Sequence, residues 1–280
     1  MTPDDIAFAA QFACLVEAAA PKPGNVSPGH PFRDMRFEDF VASALAIGPV
    51  LARADQVPLG QAVRLAVEAT RRRTAANTNL GIILLFVPLA RAALRKTSSF
   101  RDSLRAELAT TTVADAAAVY EAIRLARPGG LGTVATADLG GRPTITLLQA
   151  MELARGRDQV AAEYVSAFST TFELTMPTLK QARQGGLDWA EAAVETFLTL
   201  LARVPDTLIA RKLGPAAAEE VRRGAAAVLE AGGVRLPAGR GLLAEFDARL
   251  RDPQNSHNPG TTADLVATGL FALQLEDGLA

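Results

Sequence analysis

The sequence predicts an all-α fold arranged as one multi-helix domain over residues 1–280. Three observations carry this expectation. Apolar residues recur at the 3.6-residue helical period through most of the chain. No segment sustains a two-residue alternation of β-branched and aromatic side chains, so no strand is expected. No fixed-period repeat or low-complexity linker divides the chain.

The elements follow in order. Residues 3–20 read as an amphipathic helix with Ile6, Ala9, Ala13 and Val16 on one face and Glu17 near its end. Cys14 lies in this pattern as a small core residue. Residues 21–35, PKPGNVSPGHPFRDM, cannot be helical, because Pro21, Pro23, Pro28 and Pro31 each remove a donor and restrict the preceding residue. Such a long, stiff connection reads either as a functional loop or as a rigid interhelical linker. Phe37, Phe40, Val41, Ala44 and Leu45 have the spacing of a buried helical face. A third helix covers 59–74 and ends in Arg71, Arg72 and Arg73. The run from Gly81 is apolar on every side, so the helix over 81–94 should be central and buried, with Pro88 able to kink it. Helices over 98–109 and 113–127 precede a glycine-rich stop at Gly129, Gly130 and Gly132. A loop with Asp138 leads to a helix over 144–155. Asp158 opens a long helical pattern to about Gln184, bent at Pro177. A helix through Trp189, Ala193, Phe197, Leu200 and Val204 comes next, then the short DTLIARKLG segment. Helices from Pro215, over 240–251 and over 262–274 complete the chain.

Composition narrows the function. Charged residues are 21% and hydrophobic residues 49%, as in soluble globular proteins. With a net charge of -1 and no basic block, nothing indicates nucleic-acid binding. The longest apolar run is too short for a bilayer span, and the acidic N-terminus lacks the basic flank of a signal peptide. A single cysteine allows no internal disulfide and no cysteine metal cluster. A cytoplasmic protein without nucleic-acid or membrane partners is expected.

Polar clusters sit in loops between apolar helices, where binding residues concentrate. Lys22, Gly24, Asn25, His30, Arg33 and Asp34 lie in the proline loop. Asn77, Thr78 and Asn79 precede Gly81; they fit a helix cap or contacts to a base or ribose. Arg211 and Lys212 fit a polyphosphate clamp or a solvated helix end. Asn258, Gly260 and Asp264 lie where a helix begins. The Thr261–Asp264 spacing is that of a capping box, which leaves the neighbouring amides and His257 unexplained. A helix N-terminus attracts phosphate, and Asp264 would repel it unless a divalent cation lay between them. Magnesium held by one or two carboxylates plus substrate phosphates resolves that conflict. Asp34 and Asp264 are therefore the expected metal ligands. Asp34, Asp264 and His30 are the candidate catalytic groups, and the other cluster residues are candidates for nucleotide and phosphate binding.

These segments, in this order, resemble the triphosphoribosyl-dephospho-CoA synthase family. The matching pieces are PKPGNV with Asp34 downstream, Ser43-Ala44, NT-x-x-G at residues 77–81, DTLIARKLG, and NPGTTADLVA near the C-terminus. The resemblance implies an all-helical enzyme that moves a 5'-triphosphoribosyl group from ATP to the 2'-hydroxyl of 3'-dephospho-CoA and releases adenine. It is compatible with a homodimer. Where typical members read T-N-T-H-K-G, Asn79 and Leu80 replace the histidine and lysine. A G-x-R-G-E-A element has no clear counterpart; residues 129–138 stand nearby. A divergent subgroup is expected. A different coenzyme-precursor acceptor, of pterin or furan type, and a non-catalytic nucleotide-binding protein stay open.

Overall fold

The computed structural model of the protein describes residues 1–95, 99–128 and 141–277. Within them the chain forms α1 (Pro3–Ala19), α2 (Phe37–Leu51), α3 (Leu59–Arg71), α4 (Leu80–Leu94), α5 (Phe100–Ala109), α6 (Val113–Ala126) and α7 (Leu147–Ala154). It continues through α8 (Gln159–Ser166), α9 (Met176–Gln184), α10 (Trp189–Arg203), α11 (Thr207–Leu213), α12 (Pro215–Glu230), α13 (Pro237–Leu250) and α14 (Gly260–Asp277). No strand occurs among the described residues; Ser27 and His30 make one isolated bridge. The glycine-rich stretch and Asp138 lie outside the described residues.

Two helices without a polar face lie inside the others. In α4 every residue from Ile82 through Ala93 is buried, and α14 is buried from Thr261 through Leu275 apart from Asp264. They pack on each other, with the Phe86 and Phe271 rings stacked at 4.3 Å. A helix apolar on all sides needs partners on all sides; α1, α3 and α5 supply them.

Two prolines sit inside helices, and each frees the carbonyl four residues back. Pro88 frees that of Leu84, which accepts a 2.6 Å hydrogen bond from the buried Tyr164 hydroxyl. Pro49 frees that of Leu45, which accepts from Gln11 Nε2 at 3.4 Å. Both helices continue because a neighbour satisfies the orphaned group.

Three expectations need correction. The 158–184 pattern is not one helix bent at Pro177. It breaks at Ala167 and Phe168, both at positive φ, and resumes through a π-helical turn at Thr171–Thr175. The buried Glu163 carboxylate accepts from the Thr170 and Thr171 amides and fixes that break. Pro177 sits in the first turn of α9, where it needs no donor. The buried face of α2 is Ser43, Ala44, Ile47, Gly48 and Leu51, and Leu45 is 54% exposed. Asn79 occupies the N-cap position of α4 without capping it; its amide donates to Thr70 Oγ1 at 3.2 Å.

Candidate active site

The site is assembled from helix beginnings and the loops before them. Asp158 caps α8 through the Val160 and Ala161 amides, and its second oxygen pairs with Arg211 of α11. Asp206 caps α11 through the Leu208 and Ile209 amides. Its other oxygen accepts from the amide and hydroxyl of Thr262, at 2.7 and 2.8 Å, in the first turn of α14. One buried carboxylate thus ties the start of two helices together. Burial pushes its pKa up, against these hydrogen bonds.

This arrangement overturns the capping-box account of Asp264. Asp206 supplies what Thr262 and the start of α14 require, and the Asp264 carboxylate has no hydrogen-bond or ion-pair partner among the described residues. It lies instead against the first turn of α4. A Cβ on Gly81 would come 2.0 Å from Asp264 Oδ2, so only glycine leaves room for it. Burial raises its pKa well above the carboxylate range, and Glu17, Asp206 and Asp158 add repulsion that Arg211 partly offsets. An acid in that position is stabilised by a cation or a proton.

Lys22 is placed differently from the expectation. It is 1% exposed, and its ammonium bonds Glu17 Oε1 at 2.9 Å, the Glu17 carbonyl and the Ala20 carbonyl at 3.2 Å. All three donors are used, so it anchors the proline loop to the end of α1 and is not free for phosphate. Gly24 and Asn25 are also holders of the loop. Gly24 has φ +72, which favours glycine, donates to Asp247 Oδ1 at 2.8 Å and would hold a Cβ tightly, 3.0 Å from Leu250 and 3.1 Å from Pro259. The Asn25 carbonyl accepts from Arg251, and its side chain bonds the Pro23 carbonyl. His30 is exposed and closes the turn back to Ser27, with its Nδ1 3.3 Å from the serine hydroxyl. Arg33 and Asp34 are exposed at the outer end of the loop.

The four sequence clusters do converge. Lys212 donates to the Asn255 carbonyl at 3.2 Å and feels the charges of Asp206, Asp252 and Asp34; burial lowers its pKa. Gly260 packs against Leu208, and Gly81 against Asp264. Thr78 touches the hydroxyl of Ser43, while Asn77 is partly exposed and Asn79 is buried. Asn258 Oδ1 is buried without a partner. His257 Nδ1 lies 3.0 Å from Asp252 Oδ2. Burial opposes ionisation of Asp252, but His257 and the backbone amides of Ser256, Gln254 and His257 outweigh it and lower the pKa to about 2.

Glu17 was not among the expected site residues. Its signal was present: it follows Ala13 by four positions on the buried face of α1, where a lone acid needs a partner. Asp206, read only as the start of a segment, gave no such signal, because its second partner lies 56 positions downstream.

Fold and site define an all-α protein whose polar loops meet beside one unpaired carboxylate. Within that class, the chain belongs to the CitG family, the ATP:dephospho-CoA triphosphoribosyl transferases, whose family model matches residues 3–280. A Klebsiella pneumoniae 2-(5''-triphosphoribosyl)-3'-dephosphocoenzyme-A synthase is 34% identical over 98 residues, 35% of this chain and 34% of the relative. A Pseudomonas fluorescens relative named for the same activity is 34% identical over 116 residues, 41% of this chain and 39% of its own length. The match therefore spans between a third and two-fifths of these curated relatives. A crystal structure from Archaeoglobus fulgidus, named for triphosphoribosyl-dephospho-CoA synthase, has a TM-score of 0.66 at 27% identity, covering 85% of this chain and 99% of that one.

Proposed function

We propose that this protein transfers the triphosphoribosyl group of ATP to the 2'-hydroxyl of 3'-dephospho-CoA and releases adenine. The observation that carries the reading is the unpaired Asp264 carboxylate, set against Gly81 where the first turns of α4 and α14 meet. Helix beginnings favour phosphate, and a carboxylate among them favours a dication that links it to phosphate. The donor chemistry fits magnesium: the Asp264 carboxylate is an oxygen donor without a partner, and Asn258 Oδ1, on the loop that leads into α14, is a second. No group of three histidine, cysteine or acidic side chains forms a metal cluster among the described residues, so substrate phosphates must complete the shell. Bound there, magnesium would neutralise the triphosphate and fix its position.

The chain's own groups account for the rest. Lys212 and Arg211 stand beside the proposed phosphate position; Arg211 pairs with Asp158 in the structure, and a bound triphosphate, carrying more charge, would compete for it. Breaking the bond between C1' and adenine builds positive charge on the ribose, as in glycoside hydrolysis. C1' then bonds to the acceptor 2'-oxygen, whose proton passes to a carboxylate, and the departing adenine, which keeps the electron pair of the broken bond, takes one proton from water; the carboxylate returns its own to solvent, so none is gained or lost overall. Asp34, exposed at the rim near Lys212, is the group assigned that proton. Asn79 and Leu80, which replace the family's histidine and lysine, are buried, and Asn79 bonds Thr70, while Asp264, Arg211 and Lys212 are retained. That favours an enzyme over a non-catalytic binding protein.

The test is to incubate the protein with ATP, magnesium and dephospho-CoA and to follow adenine chromatographically and the acceptor by mass. One adenine per acceptor enlarged by a triphosphoribosyl group is expected. Absence of both would contradict the proposal.

A further inference from the structure

A second concavity lies outside the cluster around Asp264. It is an open groove of about 770 Å³ between α2 and α3, lined by Ala42, Leu45, Ala46, Pro49, Ala69, Arg72 and Arg73. That volume is in the range of small-molecule sites, ~300–1,000 Å³. Its floor is apolar and its one charged end is doubly cationic. Leu45 is 54% exposed there, although it belongs to a helix with a well-packed opposite face.

The two guanidiniums at the end of the groove are available. Arg72 makes one long bond, from Nε to the Glu68 carbonyl at 3.3 Å. Arg73 has no side-chain hydrogen bond or ion pair among the described residues. By contrast, Arg71 beside them is tied to the Ala75 carbonyl, and Arg64 to Glu68. The bland account is that Arg72 and Arg73 only offset the negative end of the α3 dipole. It explains the charges and leaves the apolar trough beside them unexplained.

Chain connectivity and two side-chain contacts place the groove next to the 74–79 loop. Arg73 is followed directly by Thr74, whose hydroxyl donates to Asp39 of α2 at 2.7 Å. Thr78, four residues on, touches Ser43, which lies on α2 between the groove residues Ala42 and Leu45. The cationic end therefore adjoins the loop that carries Asn77 and Thr78, and the apolar end runs away from it along α2.

We propose that this groove is the acceptor subsite and that it takes the diphosphate and pantetheine portions of dephospho-CoA. The assignment rests on the transferase reading above. Dephospho-CoA carries its diphosphate between the ribose and the pantetheine arm, whose first apolar group, a gem-dimethyl carbon, stands close to the diphosphate and whose methylenes alternate with two amides. With the diphosphate on Arg72 and Arg73, the ribose that bears the reacting hydroxyl falls on the side of the 74–79 loop. The pantetheine then lies over Leu45, Ala46 and Pro49. The order of groups in the ligand matches the order of surfaces in the protein, and the charges are complementary.

The test is steady-state kinetics of adenine release on wild type, Arg72→Ala/Arg73→Ala and Leu45→Glu, with sedimentation of each. All three changes are on the surface, so melting temperatures near wild type are expected. Loss of charge-assisted phosphate contacts should raise KM for dephospho-CoA about tenfold or more in the double variant, with KM for ATP within about twofold. Leu45→Glu should raise the same KM and leave the sedimentation coefficient unchanged. An active wild type with an unaltered acceptor KM in both variants overturns the groove and spares the activity. Leu45→Glu changing the sedimentation coefficient with acceptor KM unaltered would make the groove a contact between copies of the chain, which also overturns it. No transfer by wild type overturns the activity itself, and the subsite with it.

Discussion

Lys22 and Glu17 form an ion pair with side chains only 1% and 5% exposed. Breaking such a pair from one side leaves an uncompensated buried charge and costs about 3–5 kcal/mol. Lys22→Met should therefore move the urea midpoint down strongly, and adding Glu17→Gln should recover much of the loss. A lysine that only touched phosphate would change ATP affinity and leave the midpoint alone. The residue type and its place beside Gly24 were legible in the sequence. Its burial was not, because a lysine in a polar loop reads as solvated until a partner on the preceding helix is seen. Asp264 was singled out in the sequence, but its spacing from Thr261 left a capping role open; that duty falls to Asp206, from another helix, which no local pattern shows.

At the scale of elements, helix periodicity was an accurate guide where one face or all faces are apolar. The helix expected over 81–94 is α4, buried as expected. Periodicity is blind to breaks made by tertiary bonds. The turn at Ala167 and Phe168 carries no glycine or proline signal and depends on the Glu163 carboxylate. The exposed side of α2 was misplaced because both of its stripes are apolar, and only packing against α1 decides between them. The Pro88–Tyr164 relation gives a test of the opposite kind. Tyr164→Phe should cost about 1–3 kcal/mol by leaving the buried Leu84 carbonyl unpaired. In a Pro88→Ala background the restored amide can reach that carbonyl, so the same change should cost less than half as much in equilibrium unfolding. Equal costs in both backgrounds would show that the hydroxyl does not serve the proline.

For the whole molecule, four stretches far apart in the sequence meet around the starts of α4, α11 and α14. The sequence marked these stretches by their polar residues in apolar surroundings, and their resemblance to one family tied them together. It did not say which polar groups would be consumed by holding the loops and which would stay free. Lys22, Gly24, Asn25 and Asp206 are consumed; Asp264 and Asn258 Oδ1 are left over. The central claim is that Asp264 is left over for a magnesium-bound ATP. Isothermal titration of ATP, with and without magnesium, into wild type and Asp264→Asn tests it most directly, with the unliganded melting temperature as control. Magnesium-dependent affinity should fall tenfold or more, about 1.4 kcal/mol or above, while the melting temperature stays constant or rises as repulsion from Glu17 is relieved. Unchanged magnesium-dependent affinity together with a lower melting temperature would make Asp264 a structural residue and contradict the account.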